Sequence, residues 1–112
     1  MSQSPIDNNT YVGTVKQLII QLAGDLDLTS VSSVDIHVYK PDVDGNWEEV
    51  IWSGVITQPP TLGEITYTTI ITPTIDLDYS GDYIVHPLLK YSGGAENYSD
   101  PFILRVKNKF QI

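Results

Sequence analysis

Cysteine is absent from this chain of 112 residues. That excludes disulfide frameworks, thiolate zinc sites and cysteine nucleophiles at once, and it leaves packing as the source of stability. A chain of this length can bury roughly two thirds of the surface its unfolded form exposes, so one self-supporting domain is expected. Positive charge is also scarce: six Lys and Arg stand against fourteen Asp and Glu, a formal net charge of -8. Such an excess repels a phosphate backbone and an anionic bilayer, so nucleic acid is not an expected partner. No apolar run is longer than Leu18-Ile19-Ile20, far short of the ~20 residues of a spanning helix, and no membrane insertion is expected. Met1-Ser2-Gln3-Ser4-Pro5 has neither the basic cluster nor the apolar core of a secretory signal, which predicts synthesis and release in the cytoplasm. Residues 1–9 are polar and carry Pro5 and Asp7-Asn8-Asn9; they are expected to form a flexible or docking arm.

What is present favours strands. Tyr, Thr, Val and Ile dominate, and no window holds an apolar stripe at helical spacing. Alternation and turn residues predict strands near Thr10 to Leu22, Val34 to Lys40, Trp47 to Trp52, Gly54 to Thr57, Glu64 to Ile71, Asp82 to Tyr91 and Asn97 to Lys107. Leu18, Ile20 and Leu22 share one face while Gln17 and Gln21 take the other, as in a half-buried antiparallel strand. Val34, Ile36 and Val38 likewise alternate with Asp35, His37 and Tyr39, so His37 is expected to face water. No second His or carboxylate cluster is spaced to join it as a metal or catalytic ligand. Between the strands, Ala23-Gly24-Asp25, Pro41 to Asn46, Gln58 to Thr61 and Ser92 to Ala95 supply turn residues. The expected fold is all-β, an immunoglobulin-like antiparallel β-sandwich of about seven strands over 10–107, followed by a tail over 108–112.

The sharpest local pattern is Asp78-Tyr79-Ser80-Gly81-Asp82-Tyr83-Ile84-Val85. It has the spacing of the corner by which an immunoglobulin-like domain enters its sixth strand, with the Tyr83 hydroxyl bonding back to backbone near Asp78 and Val85 entering the core. Val85 would stand where antibody domains carry their second cysteine. Asp42-Val43-Asp44-Gly45-Asn46 places carboxylates at alternate positions, but its glycine falls too early for an EF-hand, and Asp-Gly there reads as a hairpin turn. Asp76 and Asp78 read as solvated loop residues rather than a catalytic pair. No G-x-S-x-G elbow occurs, and His86 precedes Pro87 with no evident partner. No catalytic residue, cofactor or metal is therefore expected. Trp47 and Trp52 are five apart, which predicts one in the core and one outside, against the alternative that both pack on their own domain. Tyr11, Tyr91, Tyr98 and the outer Trp are candidate contacts, as are Phe110 and Ile112 in the tail. Arg105, Lys107 and Lys109 read as a solvated strand face or a docking patch.

The order of these segments resembles small immunoglobulin-like structural proteins of tailed bacteriophages, similar in pattern to the N-terminal domain of baseplate upper proteins. The similar stretches are Val34 to Pro41 with its Asp-Gly turn, Gly63 to Thr69, Asp76 to Tyr83, and Tyr98-Ser99-Asp100-Pro101 leading to Phe102, Leu104 and Val106. Gln58-Pro59-Pro60 and Ile71-Thr72-Pro73-Thr74 depart from that pattern. The resemblance implies a virion component without catalytic residues, located in the particle. Its partners would be other virion proteins, and it would form a homo-oligomer or ring in the tail, neck, baseplate or capsid surface. The alternative is a recognition module that binds a host-surface glycan or protein through loops at one end of the sandwich.

Overall fold

The computed structural model describes residues 6–22 and 27–108, with backbone alone at 6–9. Its strands are β1 (Ile6–Tyr11), β2 (Gln17–Gln21), β3 (Val31–Pro41), β4 (Trp47–Ile56), β5 (Glu64–Thr68), β6 (Gly81–Tyr91), β7 (Glu96–Tyr98) and β8 (Phe102–Lys107), and Pro60–Leu62 forms a 3-10 turn. Hydrogen bonding runs β1-β8-β6-β3-β4-β5-β2, and β7 pairs β6. The path folds over on itself along β4. Residues Trp47 to Gly54 pair β3, and Val55 and Ile56 pair β5. A larger layer, β1-β8-β6-β3-β4, therefore faces a smaller one, β5-β2, in an immunoglobulin-like β-sandwich.

Period-two alternation builds the core. Leu18 and Ile20 of β2 and Ile65 of β5 meet Val34, Ile36 and Val38 of β3, Trp52 of β4, Tyr83, Val85 and Leu89 of β6, and Leu104 and Val106 of β8. Each fully buried aliphatic or aromatic side chain in such a core contributes roughly 1.5–3 kcal/mol over its exposed state. Leu22, Leu28 and Leu77 close the ends from loops.

Several boundaries differ from those the sequence predicts. The segment expected as one strand from Thr10 to Leu22 divides, because the chain turns at Gly13 (φ 75) and Thr14 Oγ1 donates to the Tyr11 carbonyl at 2.7 Å. β1 begins at Ile6, inside the segment read as an arm, and it pairs β8 in parallel, not antiparallel. The predicted strands 47–52 and 54–57 form a single β4. Gly54 lets that strand cross between layers, since a Cβ there would lie 2.9 Å from Ile65 Cγ2 and 3.1 Å from Ile36 Cδ1. The strand expected from Asn97 to Lys107 splits into β7 and β8 around Pro101, which has no N–H to continue a ladder. Gln58–Pro59 and Thr72–Pro73, in the two segments that depart from the phage pattern, are cis. Residues 1–5, the turn residues Ala23-Gly24-Asp25, Lys109, Phe110 and Ile112 lie outside the described residues.

Candidate functional site

The corner before β6 is built around Tyr83. Its side chain is fully buried, its hydroxyl donates to the Tyr79 carbonyl at 2.6 Å, and the Tyr79 N–H donates back to it at 3.3 Å. Gly81 has φ 138, and a Cβ would sit 2.9 Å from Pro41 Cγ, so both backbone and space require glycine. Val85 is fully buried, opposite Val38 and Phe102. Burial pushes the Tyr83 phenol up to about 12, the nearby Asp78, Asp76 and Glu48 charges act in the same direction, and the Tyr79 backbone bond opposes them.

Asp76 and Asp78, read from sequence as solvated, are both committed. Asp78 Oδ1 accepts from Lys40 Nζ at 2.6 Å, and Lys40 is itself buried, lying over the Tyr83 ring. Asp76 Oδ2 accepts from the Tyr67 hydroxyl at 2.5 Å and the Ile70 N–H at 3.0 Å. Burial, followed by the bond to Asp76, raises the Tyr67 phenol above its ordinary range. Both carboxylates thus tie the loop before β6 to β3 and β5. Asp42 is similarly used: its Oδ1 accepts from the Asp44 and Asn46 N–H groups at 2.9 Å each, organising the β3–β4 hairpin.

The outward face of the larger layer is different in kind. Strand register aligns Ile51, His37 and His86 in one row, and Glu49, Tyr39 and Ile84 in the next, with Ile103 beyond Ile84. His37, Tyr39, Glu49, Ile84, His86 and Tyr98 line a shallow open cavity of about 330 Å³. Tyr98 stands beside both imidazoles, with ring centroids 4.6 Å from His86 and 5.7 Å from His37. Trp47 stacks on Tyr39 at 5.2 Å, and both are 46 % exposed. Polar groups on this face have local partners: Lys90 pairs with Asp35 at 2.7 Å, Arg105 with Asp82 at 2.9 Å, and Glu49 lies in hydrogen-bond contact with His37 Nδ1 at 2.8 Å. The carboxylate partners raise the Lys90 and Arg105 pKa values through hydrogen bonding. No strand lies beside Trp47 to Ser53 on the side away from β3 among the described residues, because β5 joins β4 only at Val55 and Ile56.

Of the contacts predicted from sequence, Trp47 and Tyr98 are on this face. Trp52 is in the core, stacked on Tyr67 at 4.9 Å, and Tyr91 is partly buried against the core. Tyr11 lies apart on β1 with Lys107 Nζ 5.3 Å from its ring centre. Sequence spacing offers no partner for His37 or His86, and the register corrects this: each is the other's cross-strand partner. Their positions on alternating strands put both on the outer face, but only the pairing of β3 with β6 brings them together. Among the described residues no three His, Cys, Asp or Glu side chains form a metal cage.

No family model matches the chain, and no curated protein matches it. A solved structure that it resembles is CopC from Methylosinus trichosporium OB3b, with a TM-score of 0.47 and 16% identity over 100% of this chain and 85% of that one. A likeness at that level bears on no role for this chain.

Proposed function

We propose that this chain is a non-enzymatic structural domain of a tailed-phage particle, seated on other virion proteins through the outward face of its larger layer. The observation that carries the docking role is that face itself: Tyr39, Trp47, Ile51, Ile84 and Tyr98 are exposed together on a strongly acidic chain, while the ionic groups among them are paired within the domain. Apolar surface of this kind, with its polar groups already held by partners in the domain, suits burial against a protein. The open edge of β4 from Trp47 to Ser53 adds backbone donors and acceptors for an extended partner segment. The virion setting, and assembly as a ring or homo-oligomer, rest on the resemblance in motif order. Nothing in the committed carboxylates Asp76 and Asp78 favours catalysis.

The experiment is the copy number of this polypeptide in purified particles, measured by quantitative mass spectrometry against the major capsid protein, for the native chain and for Trp47→Ala/Ile84→Glu. Native incorporation at a fixed ratio, lost in a variant that still folds, supports the proposal. Absence of the native chain from clean particles overturns it. A second reading, recognition of a host-surface glycan, is favoured by the exposed Trp47–Tyr39 stack, since flat aromatic surfaces receive the apolar faces of sugars; a glycan array without signal counts against it.

A further inference from the structure

We propose that His37 and His86 form a two-imidazole site for a divalent transition-metal ion on the outer face of the larger layer. This goes beyond the docking reading and does not depend on it. The two residues are direct cross-strand partners on antiparallel β3 and β6, where side chains on one face stand about 5 Å apart at Cβ. That spacing allows two ring nitrogens to reach one ion at the ~2.0–2.1 Å of a metal–imidazole bond after modest rotation of the side chains.

The hydrogen bonding sets His37 up for this role. Its Nδ1 lies 2.8 Å from Glu49 Oε2, on the β4 side of the ring. A carboxylate oxygen can only accept, so Nδ1 is the donor and carries the proton, and Nε2 is left with the lone pair that a metal ion would use. A carboxylate holding the non-ligating N–H is the usual outer support of a metal-bound histidine. The His86 imidazole is half-buried beside His37, and Tyr98 walls the site next to both rings. Both histidines are partly exposed and line the same open cavity. With only two protein nitrogens, water would complete the coordination sphere. The site would favour imidazole-seeking ions such as Zn²⁺ and Ni²⁺ over Mg²⁺ and Ca²⁺, which require oxygen cages.

The test uses untagged full-length chain. Isothermal titration with ZnCl₂ and with NiCl₂ is expected to give saturable binding of one ion per chain, with no heat of binding from MgCl₂. The chain has two histidines in all, so proton NMR should show both imidazole C–H signals shifting together and saturating at one Zn²⁺ per chain. His37→Ala and His86→Ala should each abolish saturable binding while retaining the native circular dichroism spectrum, and Glu49→Gln should weaken it about 10–100-fold. No saturable Zn²⁺ binding by the native chain overturns the proposal. So does movement of one imidazole signal alone, or undiminished binding by a folded His37→Ala/His86→Ala double variant.

Discussion

Lys40 Nζ lies 2.6 Å from Asp78 Oδ1, joining a buried cation on β3 to the corner that opens β6. The Lys40 side chain is 5 % exposed and Asp78 is 33 % exposed, so the two partners differ in what their loss leaves behind. Removing the carboxylate leaves the buried ammonium with the Asp76 carbonyl, 3.3 Å away, as its remaining acceptor and no counter-charge beside it. Removing the ammonium leaves a carboxylate that water can reach. Breaking a buried pair by deleting one partner costs about 3–5 kcal/mol when the remaining charge is fully enclosed. Asp78→Ala is therefore expected to destabilise by about 2–4 kcal/mol, discounted for the exposure of the pair, and Lys40→Met by about 1 kcal/mol or less. Urea unfolding of both variants checks the order; equal losses would show that Lys40 is not held by Asp78.

Alkaline pH acts on the same end of the sandwich. Tyr83, pushed up to about 12 by burial, and Tyr67, raised by burial and by Asp76, both favour the neutral phenol in the folded chain. An unfolded tyrosine ionises near ~10. Their contribution is thus fully present below about pH 10 and is lost as pH rises through the folded values, because the unfolded chain releases protons first. Tyr83→Phe should lower stability at pH 8 by about 1–3 kcal/mol, since the Tyr79 carbonyl loses its buried donor. Between pH 10 and ~12 its stability should fall less steeply than that of the native chain. Denaturant midpoints measured across that range decide it; parallel slopes would place the alkaline sensitivity elsewhere.

What is legible in the sequence is what is local. Val34, Ile36 and Val38 announce the inner face of β3 because strand alternation has a period of two. Asp78, Gly81 and Tyr83 announce the corner because its bond spans Tyr83 to Tyr79 within a single turn. The same alternation carries Lys40 inward after Val38, yet a lysine ending an apolar run reads as the solvated end of a strand. Its partner lies 38 residues further on. The outer-face site is less accessible still. His37 belongs to a hairpin with β4 and His86 to a strand far along the chain, and their meeting depends on the β3–β6 register, which no short-range pattern encodes. The sequence predicts a break between Trp52 and Gly54, whereas the missing side chain of Gly54 lets one continuous strand pass between layers.

Thr10 offers a gain in stability. It is 1 % exposed in β1, opposite Val106, and its hydroxyl has no hydrogen-bond partner among the described residues. Burying a hydroxyl without a partner costs about 1–3 kcal/mol, and valine has nearly the same shape without that penalty. Thr10→Val is expected to raise stability by about 1 kcal/mol, seen as a higher urea midpoint with an unchanged slope. A lower midpoint would show that the hydroxyl is satisfied in solution.

Gly54 lies where β4 passes from one layer to the other. A Cβ there would meet Ile65 Cγ2 at 2.9 Å and Ile36 Cδ1 at 3.1 Å, and both isoleucines are fully buried. Neither can swing into solvent, and Ile65 holds the β5 side of the crossing while Ile36 holds the β3 side. Overpacking a filled core costs about 1–3 kcal/mol, so Gly54→Ala should destabilise by that amount despite alanine's better strand propensity. Gly93 provides the control, since a Cβ there meets nothing within 4 Å. Gly93→Ala should change stability by no more than about 0.5 kcal/mol. If thermal unfolding finds the two variants alike, β4 does not pass between the layers at Gly54, and the division of its pairing between β3 and β5 must be redrawn.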